Sequence, residues 1–158
     1  NEVEFAEKFD KILSIGVFCH VGNLTNAFQK LASLLESDGK VFIHIITARI
    51  PNNMSSGFTH KYIFPHGRYW NYDAVPSHNR DLQTIDRWYI NGMNYHKTFT
   101  AWLQRFDAAQ DSIKLLDYHM DYAKFRRIWR FYLLMLASAF ATCDGEYNGN
   151  GQYLLTRS

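Results

Sequence analysis

Two apolar runs flanking one amphipathic helix constrain this chain more than any other feature. Lys11 to Val17 is short, apolar and bounded by turn signals, and it reads as a buried strand. Asn23 to Glu36 follows as a helix, in which Leu24, Ala27, Phe28, Leu31, Leu34 and Leu35 recur at spacings of three and four and form one apolar stripe. Asn23 or Thr25 caps its start. Ser37-Asp38-Gly39 ends it, with Gly39 suited to a left-handed C-terminal position. Val41 to Ala48 is a second, β-branched strand, VFIHIITA. Strand, helix, strand in that order implies a parallel pair with a right-handed crossover, and so an α/β class. In open α/β sheets ligands sit just past the carboxyl ends of the strands. The loop after the first strand, where Gly16, Phe18, Cys19 and His20 stand, is therefore the first place to look for a site.

The rest of the chain supplies further elements. Glu2 to Lys8 reads as the end of a preceding helix or a linker. Arg49 to Pro65 is loop-like, with Pro51, Asn52, Asn53, Ser55, Ser56 and Gly57. Trp70 to His78 reads as a short helix interrupted by Pro76, and Leu82 to Ile90 as a strand ended by the turn signal Asn91-Gly92. A long helix is expected from about His96 to Leu116, with Trp102, Leu103, Phe106, Ala109 and Ile113 buried. A second spans Asp121 to Cys143. Asp144 to Gly151 reads as a glycine- and asparagine-rich turn, and Gln152 to Thr156 as a final strand.

The 158 residues fit one domain. A hydrophobic fraction of 47%, with 16% aromatic, is enough to bury a core and is far from a disordered composition. A net charge of +2 argues against nucleic acid as a partner. Cys19 and Cys143 make no disulfide framework, which points to a reducing, cytoplasmic setting. The longest apolar run, Phe131 to Ala141, is about half the ~20 residues of a membrane span, so stable membrane insertion is not expected. The seven histidines match no metal-ligand spacing.

Three segments, in order, resemble one family. Phe9 to Gly22 is similar to a strand and loop of the pattern fDri-S-mfEHvg. Asp38 to Thr47, DGKVFIHIIT, followed by Lys61-Tyr-Ile-Phe-Pro65, is similar to the segment ending kYiFP-G. Trp88 to Phe106, WYINGMNYHKTFTAWLQRF, is similar to NG--Y--T---W--R. The run FRRIWRFYLLMLASAF and the closing strand fit as well. The ordered set resembles the cyclopropane-fatty-acid-synthase-like branch of S-adenosylmethionine-dependent methyltransferases, with a flavour of the coclaurine N-methyltransferase subgroup. The resemblance implies the C-terminal half of a Rossmann-like class I methyltransferase fold: a parallel strand pair, an antiparallel C-terminal strand and helices on the faces. On that reading residues 1–158 are one partial domain, and the family's first strand and glycine-rich cofactor loop lie outside it. A chain that does not begin with Met fits this expectation.

The resemblance assigns roles to several residues. His20 follows the first strand directly and falls beside the family's reacting centre, as base or orienting group. Cys19 stands where the family has Glu, and Gly16 where the coclaurine subgroup has a further Glu. A thiol is mostly neutral at pH 7, so a small buried hydrophobe is the plainer reading of Cys19. His44 shares a strand face with Phe42 and Ile46. It matches the bicarbonate pocket of the lipid enzymes, and a satisfied core histidine is an equal alternative. Tyr95 shares a helix face with Thr98, Trp102 and Phe106 and matches a tyrosine whose hydroxyl enters the active site. Trp102 reads as packing. Ile15, Gly16 and Phe18 are the expected cofactor contacts, while Trp70, Tyr72, Trp88 and Tyr95 are candidate walls for a cationic product.

The expected cofactor is S-adenosyl-L-methionine, with bicarbonate as a further option, and the expected acceptor a small amine or an unsaturated lipid. The alternative is a non-catalytic, truncated module for binding or dimerisation. Arg126, Arg127 and Arg130 before an apolar run suit an interfacial helix, or more simply a core helix with a solvated first turn. In the parent fold the first strand is paired on both sides. Here one side lacks its neighbour, an association hazard that predicts a homo-oligomer or a cover from Asn1 to Lys8.

Overall fold

A computed structural model describes residue 5, residues 7–50 and residues 57–157. The elements in chain order are β1 (Phe9–Ile15), α1 (Leu24–Leu34), β2 (Leu35–Ala48), α2 (Gly57–Tyr62), β3 (Trp70–Asn71), β4 (Leu82–Ile90), α3 (Met93–Ala108), α4 (Gln110–Lys114), α5 (Tyr122–Ala141) and β5 (Asn148–Arg157). The expected linker over Glu2 to Lys8 and the residues from Pro51 to Ser56 fall largely or wholly outside the described residues.

β1 and β2 pair in parallel through the crossover helix α1, as the strand-helix-strand order requires. The sheet runs β1-β2-β5-β4, with β5 antiparallel to both of its neighbours and the short β3 parallel to the end of β2. β1 lies at the edge, and Leu13 and Ile15 are 72% and 66% exposed.

The central strand β2 separates two layers. Val41, Ile43 and Ile45 are fully buried with Leu24, Phe28 and Ala32 of α1, which lie one turn apart on its inner face. Each aliphatic side chain buried this way contributes about 1.5–3 kcal/mol. Asn23 caps α1 by accepting the Asn26 N–H at 3.1 Å. On the other face, α3 and α5 pack around Phe99, Tyr132, Leu136 and Phe140, with Ile46 against them. Asp107 on α3 accepts from Arg126 at 2.7 Å and Arg130 at 3.1 Å on α5. Those arginines tie two helices together, which favours the core-helix reading of the segment. His96 Nδ1 donates to the Ala137 carbonyl at 2.9 Å and adds a second tie.

Several local expectations change. Gly39 is not a left-handed cap. α1 ends at Leu34, Leu35 is already extended (φ −93°, ψ 138°), and β2 starts there because Phe9 of β1 pairs with it. Gly39 is needed for closeness instead, since a Cβ on it would sit 2.7 Å from Leu35 Cγ and 3.1 Å from the Asp10 carbonyl oxygen. Trp70–Asn71 is a strand rather than the start of a helix, and Gly57–Tyr62 is a helix inside the expected loop. Trp102 is 52% exposed, and Phe99 takes the buried place on α3. β5 begins at Asn148 within the expected turn, because pairing with β2 overrides the local turn preference of the Asn/Gly run.

The Asn91-Gly92 corner locks the sheet to the turn after α5. The Asn91 amide donates to the Asp144 carbonyl and to Glu146, both at 2.9 Å, and the Gly92 N–H donates to the Gly145 carbonyl at 2.9 Å. A Cβ on Gly92 would fall 1.9 Å from the Asn148 carbonyl oxygen, whereas one on Gly22 meets nothing within 4 Å. Gly92→Ala is therefore expected to cost at least about 2 kcal/mol of stability, the scale of an overpacked interior. Gly22→Ala should cost well under half of that. Chemical denaturation of both variants of the full-length gene product checks the contrast, and equal midpoints would contradict it.

Candidate active site

The site begins where β1 ends. Gly16 adopts φ +70°, a left-handed conformation natural to glycine, with open space where a side chain would stand. Its N–H still donates to the His44 carbonyl at 2.8 Å, so it is the last rung between the parallel strands. The chain then turns through one 3-10 turn, Phe18–His20. Phe18 anchors that turn: it is 4% exposed, its ring lies 5.6 Å from Phe28, and its carbonyl accepts the Trp70 indole N–H at 3.0 Å. Cys19 and His20 are thereby carried to a cavity above the carboxyl ends of β1 and β2. The Cys19 thiol donates to the Gly16 carbonyl at 3.2 Å, and the Cys19 carbonyl accepts the Arg68 N–H at 2.8 Å.

The cavity holds about 200 Å³. β2 contributes His44 and Ile46, and α3 contributes Tyr95 and Phe99. The Tyr95 ring stacks on Phe140 with centroids 4.8 Å apart and planes 19° from parallel, which fixes its direction. α5 adds Tyr132 and Leu136, the segment after α2 adds Phe64, Arg68 and Tyr69, and β5 adds Asn150. The His20 and Phe64 rings are 5.5 Å apart.

Gly16, Cys19, His20, His44 and Tyr95 thus converge from three separate elements. Two expected cofactor contacts do not join them. Ile15 is exposed on β1 beside the cavity, and the Phe18 ring belongs to the core. Of the expected aromatic walls, only Tyr95 lines the cavity. Tyr72 is buried in the other layer with its carbonyl bonded to Tyr153, Trp70 packs on that same layer, and Trp88 is 41% exposed on β4. The walls are Phe64, Tyr69, Phe99 and Tyr132 instead. Helical periodicity in α5 held a signal for Tyr132, four residues from the buried Ile128 and Leu136. Asn150 was hidden by the Asn/Gly run and Gln152 was read only as the start of a strand, since only the β2–β5 register sets them opposite Ile46 and His44.

No Asp or Glu is among the described residues lining the cavity. Burial pushes the Cys19 thiol up, so it carries no charge at neutral pH. Burial lowers His44, which favours its neutral imidazole. Burial, helped by Cys19 and Tyr95, pushes Tyr69 up to about 12, and burial also raises Tyr132. Asn150 is 2% exposed, and its Oδ1 finds no partner among the described residues. The result is a largely aromatic cavity in which burial favours the uncharged forms of Cys19, His44 and Tyr69, and to which Arg68 adds a cationic side chain.

Comparison with known proteins places the chain in a family. Residues 2–147 match the family described as mycolic acid cyclopropane synthetase. The cyclopropane-fatty-acyl-phospholipid synthase of Escherichia coli K12 is 29% identical over 140 residues, covering 87% of this chain and 36% of the synthase. Coclaurine N-methyltransferase, solved with N-methylheliamine and SAH, superposes with a TM-score of 0.84 at 25% identity, over 98% of this chain and 50% of that one. The cyclopropane synthase MmaA2 from Mycobacterium tuberculosis superposes with a TM-score of 0.79 at 20% identity, over 97% of this chain and 57% of that one. The chain thus spans about a third of the curated synthase and about half of the solved enzymes, and it has their Rossmann-like α/β fold. It belongs to the mycolic acid cyclopropane synthetase family of S-adenosylmethionine-dependent methyltransferases.

Proposed function

We propose that these 158 residues form the acceptor side of a methyltransferase that transfers a methyl group to a small amine or an unsaturated lipid. The glycine-rich, cofactor-cradling part lies outside them. The observation that carries this reading is the convergence of Gly16, Cys19, His20, His44 and Tyr95 on one cavity at the carboxyl ends of two parallel strands.

The end of β1 fits the edge of such a cofactor, because Gly16 leaves open space and Ile15 and Val17 are exposed beside it. Ile15 and Gly16 would hold it, above the turn that Phe18 anchors. When bound, S-adenosylmethionine supplies an electrophilic methyl group on a sulfonium sulfur. The residues of this chain do the remainder. His20 takes up the proton that the acceptor loses, at an imidazole nitrogen. The Tyr95 hydroxyl orients the acceptor, and Tyr69, Phe99 and Tyr132 exclude water around it. Cys19 contributes shape rather than charge. Bicarbonate is a second means of removing the proton, and His44 and Tyr95 would be its donors. The mainly aromatic lining supports a compact acceptor, whose developing positive charge the ring faces would stabilise.

The open edge of β1 belongs to the same reading. Leu13 and Ile15 stand exposed where the parent fold continues its sheet, so the cofactor-binding part, or failing that a second copy, covers this flank.

Isothermal titration of the full-length gene product with S-adenosylmethionine tests the reading, and a protein that binds none rejects it. Tyr95→Phe and His20→Ala are each expected to lower kcat by about 100-fold with cofactor affinity unchanged, the lower end for positioned acid–base groups. Unchanged kcat in both would remove them from the mechanism. Tritiated methyl transfer, offered amines and unsaturated phospholipid vesicles together, tells the two acceptor classes apart.

A further inference from the structure

We propose that Gln152 is a positioning residue: its side-chain amide donates to Nδ1 of His44 and holds that imidazole in the Nε2–H form, so that His44 faces the cavity as a hydrogen-bond donor and not as a base. The juxtaposition comes from the sheet. β2 and β5 run antiparallel with His44 directly opposite Gln152, and the next pair on that face is Ile46 with Asn150. Gln152 Nε2 lies 3.1 Å from His44 Nδ1. An amide nitrogen can only donate, so Nδ1 accepts and the ring's proton sits on Nε2.

The surroundings keep it there. His44 lines the cavity. The titratable and charged groups sharing that cavity are Cys19, His20, Arg68, Tyr69, Tyr95 and Tyr132. None of them is a carboxylate, so no acidic side chain there draws a second proton onto the ring. Burial acts in the same direction.

An Nε2–H can serve a lone pair: an acceptor heteroatom or an anionic oxygen. It cannot take up a proton at that nitrogen. Proton removal then falls to His20, or to a bound base that His44 itself orients. This division of labour rests on the acceptor-pocket reading above, whereas the tautomer does not.

Long-range proton–nitrogen correlation spectra of the ¹⁵N-labelled full-length protein test the tautomer directly, with His44 assigned by the signal lost in His44→Gln. The expected result is an unprotonated Nδ1 and a protonated Nε2 across neutral pH. Gln152→Glu presents an acceptor in place of a donor, so it should move the proton to Nδ1 and raise the titration midpoint of the ring. Gln152→Leu should give a mixture of tautomers. In turnover assays Gln152→Leu should lower kcat/KM by about tenfold, the low end for partners that orient a functional histidine, with cofactor affinity unchanged. Gln152→Glu, close in size and shape, guards against a loss that comes only from misfolding. A wild-type His44 protonated on Nδ1, or a tautomer untouched in both variants, overturns the proposal. A tautomer shift with unchanged kcat/KM overturns the positioning role. A wild-type protein that binds no S-adenosylmethionine sinks the methyltransferase reading instead, and the spectra still decide the tautomer.

Discussion

Everything in this fold depends on β2 being flanked on both edges and both faces at once. Its odd-numbered residues, Val41, Ile43 and Ile45, are sealed under α1. Its even-numbered residues, His44 and Ile46, are left half-buried at the wall of a cavity. A strand has only this period-2 alternation with which to separate core from site. A one-residue slip in register would send His44 into the hydrophobic layer and Ile43 into the cavity. The long ladder to β5, from Lys40↔Thr156 to Ala48↔Asn148, prevents that slip. The same ladder brings Asn150 and Gln152 to the cavity side.

The parallel β1–β2 pair, the crossover helix and a closing strand were legible from pattern, because each is written in local periodicity, whereas the antiparallel sense of that strand came from the family resemblance. The short apolar runs, the three- and four-residue stripe of α1 and the Asn23 cap all point to one answer. Boundaries and long-range choices were not. Gly39 looked like a helix stop, yet Phe9 recruits Leu35 into the sheet and Gly39 is kept for closeness. The run Asn148-Gly-Asn-Gly151 looked like a turn, yet two strand partners outweigh its propensity. Trp102 looked buried, and Phe99 three residues earlier occupies that place.

The site divides along the same line. His20, Cys19 and Gly16 follow from their position after β1, and His44 and Tyr95 from resemblance to a family. Tyr69, Tyr132, Asn150 and Gln152 enter only through the tertiary arrangement, because no single stretch of chain brings them together. The uncharged state of these buried groups is likewise a property of the assembly. Each of Cys19, His44 and Tyr69 is an ordinary titratable group, and burial favours the uncharged form of all three. Cys19 in particular packs as a small neutral group where a carboxylate would have imposed a fixed charge.

The central claim is that the turn after β1 is where a methyl donor meets this chain. Hydrogen exchange of the full-length gene product, with and without S-adenosylhomocysteine, measures this most directly. Slowed exchange in peptides covering Gly16 to His20 on ligand binding is the predicted result. A bound ligand that protects other segments while leaving those amides unchanged would contradict it.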